Sequence, residues 1–196
     1  MIKIEHNIIG MCATNTYYVY DDETKRGLII DPAGDPVRII ERVARLQIKV
    51  EGILITHGHF DHVLALDEVR ERFNVKAYIG NTEKAVLEDP EANLTSGFMG
   101  EGRTFSADVY LKDGEEFEAG GFRIKAFEVP GHTIGGMCYY FMKVCSFREI
   151  HCFANQSEEV ISREEVHLPL SLQLKRNYIL FPMMSRYILD IRKQPL

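Results

Sequence analysis

Residues 53–66 read ILITHGHFDHVLAL. An apolar run, Ile53 to Ile55, delivers the chain to a segment in which His57, His59, Asp61 and His62 fall within six positions, and a second apolar run follows. Three imidazoles and a carboxylate are costly to bury unless they share partners. A solvated loop or a helix cap would not call for this density. Gly58 lets the backbone turn tightly, so that the rings of His57 and His59 can face one point. Asp61 and His62 then stand at the start of a helix and can face a second point nearby. Nitrogen and oxygen donors of this kind suit Zn²⁺, Fe or Mn.

Outward from this stretch, the pattern alternates between strand and helix signals. IKIEHNII and NTYYVYDD read as strands, DDETKRG as a turn, and LIIDPAGD as a strand ending in turn chemistry. PVRIIERVARLQI has Pro36 in a first-turn position, with Val37, Ile40, Val43, Ala44 and Ile48 at helical spacing. VEGILIT is a buried strand, HVLALDEVRERF one amphipathic helix, VKAYIG a strand and NTEKAVLED a short helix capped by Asn81. Residues 90–107, with Gly97, Gly100 and Gly102, read as loop, and residues 108–141 as short strands. This order predicts a mixed α/β layered fold, with the histidines at the carboxyl end of a strand, where sites gather in such folds.

The 196 residues suit one domain, or one domain and a tail. The net charge of −6 argues against a nucleic-acid or anionic-membrane partner. No apolar run approaches the ~20 residues of a spanning helix. The start, MIKIEHNIIG, lacks the layout of a signal peptide, and a cytoplasmic location is expected. Cys12, Cys138, Cys145 and Cys152 form no CxxC pair and are expected to be free thiols.

HGHFDH resembles the HxHxDH signature of the metallo-β-lactamase fold. VPGHTIGGMCYYF, residues 129–141, resembles its next signature, and LIIDPAGD its early strand and turn. The resemblance covers residues 2–141 and is closest to small glyoxalase II-like hydrolases, similar to hydroxyacylglutathione hydrolase. It implies an αββα sandwich. It also implies two divalent metals, Zn foremost and Fe or Mn as alternatives. His57, His59 and His132 would bind the first metal, and Asp61 and His62 the second. The implied reaction is attack of a metal-activated water on a small-molecule thioester or ester, with Asp61 as the catalytic residue that orients the nucleophile. Alternation along a strand puts one of Tyr139 and Tyr140 in the core, which makes them packing residues. Asp31 reads as a turn-stabilising carboxylate rather than a ligand.

The family pattern also needs a bridging aspartate in a GDT segment and a late histidine in a GH segment. Neither occurs after residue 141. Composition breaks at the same place: all 15 glycines lie in residues 1–141. Charge changes sign as well, from −8 over residues 1–141 to +2 over 142–196. Each shifted codon can be built from the last base of one codon and the first two of the next. The shifted frame permits V-L-F-S-G-D-T-L-F across Val144–Phe153, V-G-R-S-D-F-P-G-G-S from Gln156 and Y-P-G-H-S-E-T-T-I from Tyr187. Three family-like segments, in family order and in one constant frame, imply that residues 142–196 are an out-of-frame translation of a domain left incomplete after about residue 141. His151, His167 and Asp190 have no spacing that suits substitute ligands. The chain as written is then an impaired hydrolase holding two metals, one or none. The competing readings are a persulfide dioxygenase-like enzyme with a single iron and a non-catalytic remnant.

Overall fold

A computed structural model describes residues 1–142, 151–153 and 161–162. The first sheet runs in order β1 (Ile2–Ile9), β2 (Thr14–Asp21), β3 (Arg26–Ile30), β4 (Lys49–Leu54), β5 (Ala77–Gly80) and β6 (Val109–Leu111). β1 to β3 are antiparallel, and β3 to β6 are joined in parallel. The second sheet is antiparallel: β7 (Glu116–Ala119), β8 (Phe122–Glu128), β9 (Met137–Met142), β10 (His151–Phe153) and β11 (Ile161–Ser162) pair in sequence order. The helices are α1 (Pro36–Leu46), α2 (Phe60–Val63), α3 (Leu66–Phe73), α4 (Lys84–Leu87) and α5 (Thr95–Met99).

Successive side chains on a strand face opposite ways, so the central strands of the first sheet serve two cores. Ile29, Ile53 and Ile55 join Ile39, Val43, Leu66 and Val69 under the helices. Leu28, Ile30 and Leu54 face the other way and meet Phe122, Ile124, Met137, Tyr139 and Phe141 of the second sheet. Parallel strands covered on both faces explain why LII and ILI are unbroken apolar runs rather than alternating ones. The described layers are therefore helix, sheet, sheet. Beyond residue 142 the described residues are only the two short strands that extend the second sheet; the rest of the segment expected to be out of frame, with the candidate positions His167 and Asp190, lies outside the described residues.

Four local expectations are corrected. α1 buries Ile39 and Val43, while Val37 is 62% exposed. Two stripes with helical spacing compete in that segment, and the Asp35 side chain, capping the Arg38 N–H, fixes the start that turns Ile39 inward. HVLALDEVRERF forms not one helix but α2 and α3, parted at Leu64–Ala65, where the Ala65 N–H is taken by the Pro32 carbonyl. Asn81 makes no cap; it opens a 3₁₀ turn, Asn81–Glu83, that leads into α4. The loop of residues 90–107 contains α5, held by Asn93, whose side-chain nitrogen donates to the Leu87 and Arg103 carbonyls. Among the cysteines, Cys12 is free and exposed, but Cys138 is disulfide-bonded, because spacing along the chain does not reveal which sulfurs meet in space.

Candidate metal centre

Two loops build the site. Thr56 to His59 leave the carboxyl end of β4 and enter α2, and residues 129–136 join β8 to β9. The Met137 N–H donates to the Thr56 carbonyl at 2.7 Å, which brings the two loops together. The structure brings His57, His59 and His132 together: one ligand atom from each lies within 4.8 Å of the others. The rings meet edge to face, with centroids 4.8 Å apart for His57 and His59, 5.0 Å for His57 and His132, and 4.6 Å for His59 and His132. The cluster runs from a buried floor at His57, through half-buried His59, to exposed His132 at the rim.

His57 carries the observation that tests the site for a cation. Its Nδ1 lies 3.2 Å from Thr56 Oγ1, whereas its Nε2 is buried with no hydrogen-bond partner among the described residues. A buried imidazole nitrogen left unpaired is costly, and a metal ion is the partner that suits it. Protonation does not solve the problem. Burial, and then the charges of His62, His59 and His132, hold His57 well below its ordinary pKa. Burial, followed by His132, lowers His59 to about 4. Both rings therefore offer neutral nitrogen near neutral pH, the form that binds metal.

Asp61 and His62 project beside this trio. The His62 ring centroid is 4.0 Å from that of His57, and His62 Nε2 is 3.5 Å from Asp61 Oδ2. Thr14 Oγ1 donates to the same Asp61 oxygen at 2.6 Å.

Asp31 is not a turn-stabilising carboxylate as expected. It is 3% exposed, and its Oδ1 accepts the Thr56 N–H at 2.7 Å. Its Oδ2 accepts the Thr56 hydroxyl at 2.7 Å and faces His62 Nδ1 at 2.9 Å. Parallel pairing of β3 with β4 carries Asp31 across to the histidine loop. Burial alone would depress His62, but the charge and hydrogen bond of Asp31, with Asp61 behind them, outweigh it and raise the ring above its ordinary pKa. An imidazole whose Nδ1–H is held by a carboxylate presents Nε2 outward, the second-shell arrangement of a metal-binding histidine. Tyr139 is a packing residue, fully buried, with its hydroxyl donating to the Ile55 carbonyl at 2.8 Å; Tyr140 is half-buried.

These shifts set a pH dependence for the metal-free chain. His57 and His59 bind protons more readily when unfolded, so their contribution is present above the unfolded value near 6.5 and is lost as pH falls, for His59 toward about 4. His62 has the opposite sign: its contribution is present at low pH and is lost as pH rises through its raised folded value. With two groups against one, the thermal midpoint in chelator is expected to fall between pH 6.5 and about 4. The decline should be smaller in His59→Gln, and an unchanged decline in that variant would contradict the assignment.

Comparison with known proteins agrees with this geometry. Residues 9–143 match the metallo-beta-lactamase superfamily, and the chain belongs to that superfamily. It is 33% identical over 133 residues to the probable metallo-hydrolase YqgX of Bacillus subtilis, covering 67% of this chain and 62% of that protein. It is 32% identical over 123 residues to the hydroxyacylglutathione hydrolase GloC of Haemophilus influenzae, covering 62% of this chain and 58% of that one. Among solved structures, the BLEG-1 B3 metallo-beta-lactamase superposes with a TM-score of 0.66 at 35% identity, over 71% of this chain and 67% of the other. The chain thus spans less than two thirds of the length of these curated relatives. No helix among the described residues is long and apolar enough to cross a membrane.

Proposed function

We propose that this chain derives from a metal-dependent hydrolase of small-molecule thioesters or related esters, and that as written it keeps the first metal site and lacks the means to complete the second. The unpartnered, buried Nε2 of His57 within a three-histidine cluster carries the reading. Similarity to a hydroxyacylglutathione hydrolase supports the thioester class.

His57, His59 and His132 would hold one divalent metal, Zn²⁺ foremost with Fe or Mn as alternatives, and Asp61 with His62 would contribute to a second. Such ions supply a water ionised near neutral pH and polarise the carbonyl to be attacked. The chain's own residues do the rest. Thr56 and Asp31 fix the rings of His57 and His62, so the donor nitrogens need no reorientation as charge develops. Thr14 holds one Asp61 oxygen, which steadies the carboxylate that would orient the attacking water by accepting its hydrogen bond. His132 stands at the exposed rim, the side open to a substrate. Neither nucleic acid nor membrane is a partner in this reading.

The bridging aspartate and late histidine of the family pattern would have been encoded after residue 141, in the frame that residues 142–196 do not follow. Reading the gene's nucleotides across codons 140–155 tests this, and third bases incompatible with the shifted motifs would end it. A cytoplasmic setting belongs to the same proposal, on the low cysteine density. The bond at Cys138 counts against that setting, and the redox state of Cys138 in intact cells decides it.

The assay is thiol release from a hydroxyacyl-glutathione thioester by the full chain at high concentration. Slow, chelator-sensitive release without oxygen uptake on a persulfide is expected. Iron-dependent oxygen uptake on the persulfide, with no thiol release, would replace the hydrolase reading by a dioxygenase one.

A further inference from the structure

The site is spanned by a buried carboxylate that none of the metal chemistry uses. Glu83 ends the 3₁₀ turn after β5 and is fully buried. Its Oε2 accepts the Gly58 N–H at 2.7 Å, and its Oε1 accepts the Gly135 N–H at 2.8 Å. Gly58 lies between His57 and His59; Gly135 lies three residues after His132. One carboxylate therefore holds both histidine loops, one oxygen to each. No lysine, arginine or histidine pairs with it within 4.0 Å among the described residues, so its known partners are the two backbone amides.

The surroundings are built for this grip. A Cβ on Gly135 would lie 2.5 Å from Thr82 Cβ and 3.0 Å from the Glu83 nitrogen. A Cβ on Gly58 would lie 2.9 Å from Val86 Cγ1 and 3.1 Å from the Leu87 nitrogen. Both loops thus press onto the 82–87 segment at positions where only glycine fits. Thr82 adds a tie from the same turn to β8, its hydroxyl donating to Glu128 at 3.0 Å.

We propose that Glu83 is the positioning residue that sets the spacing of His57 and His59 against His132, by clamping the two loops through the Gly58 and Gly135 amides. The proposal rests on the metal-site reading for its consequence, but the clamp itself can be read without metal. A glutamine in its place is nearly isosteric yet turns one of the two acceptors into a donor aimed at an N–H. It can satisfy one loop and must repel the other.

The experiment uses the full chain and Glu83→Gln. In the metal-free proteins, amide hydrogen exchange is followed at residues 57–59 and 132–135. In the same proteins, Co²⁺ affinity and ligand-field absorption are recorded. Glu83→Gln is expected to speed exchange in at least one of the two loops by about tenfold, the effect of about 1.4 kcal/mol. It is also expected to weaken Co²⁺ binding by about 10–100-fold with an altered absorption band, the usual effect of disturbing groups behind metal ligands. Exchange in both loops equal to the parent's would overturn the clamp. If the parent takes up no Co²⁺ but the variant still frees a loop, the clamp stands and the metal reading falls. If Glu83→Gln does not fold, Glu83→Asp takes its place. It keeps the charge but is one carbon too short to reach both amides, so one loop loses protection; two fully protected loops would overturn the proposal.

Discussion

Translating the gene in the shifted frame from about residue 142 is expected, on the out-of-frame proposal, to raise thioester turnover by about 10²–10³-fold, the scale on which gaining one preorganised charge-stabilising group speeds acyl transfer. Metal content is expected to rise from about one to about two per chain, as in a two-metal site. The described residues already supply the first trio with a common focus and place Asp61 and His62 beside it. What the proposed second site lacks is a bridge and a closing ligand. The shifted frame permits a GDT segment where Glu149 meets Ile150 and a GH segment near Asp190. The same correction would return glycines to a stretch of 55 residues that has none. Turnover and metal content equal to those of the chain as written would contradict the out-of-frame reading.

Asp31→Ala is the second change with a large expected effect, a loss of about 3–5 kcal/mol of folding stability. The alanine strips the acceptor from three donors at once: the buried Thr56 N–H and Thr56 hydroxyl, and the half-buried His62 ring. Each unsatisfied buried donor costs about 1–3 kcal/mol, and removing one member of a buried ion pair costs about 3–5 kcal/mol. The backbone adds to the loss, because Asp31 sits at φ +51°, a left-handed conformation that Asp tolerates better than Ala. Asp31→Asn keeps that conformation and one acceptor and should lose about half as much. Chemical denaturation of the metal-free chain measures both, and an alanine variant within about 1 kcal/mol of the parent would remove Asp31 from the centre of this network.

The contrast between His57 and Asp31 shows what the sequence could convey. The histidines, Asp61 and Gly58 crowd into one short loop, so their density announces them without any tertiary information. His132 lies 75 positions beyond His57 and was reached only through a second motif whose pattern resembles the family's. Asp31 looked like turn chemistry because DPAGD is turn-like. Its role comes from parallel pairing of β3 with β4, which sets it against Thr56 and His62, and no local pattern records that. Glu83 is harder still. In NTEKAVLED it resembles any solvated helix carboxylate, and only the approach of two glycine-bearing loops buries it. The nearest available signal was Gly58 and Gly135 themselves, each required by what presses against it. The apolar runs of β3 and β4 marked sheet-core strands correctly, whereas the break between α2 and α3 depends on a contact to Pro32 that helical periodicity cannot register.

The convergence of His57, His59 and His132 on one ion is tested most directly by titrating Co²⁺ into the full chain while recording its absorption spectrum. Saturation at about one equivalent, with a tetrahedral band that disappears in His57→Ala and in His132→Ala, is the expected result. No uptake, or a band that survives the loss of His132, would show that the two loops do not share a metal.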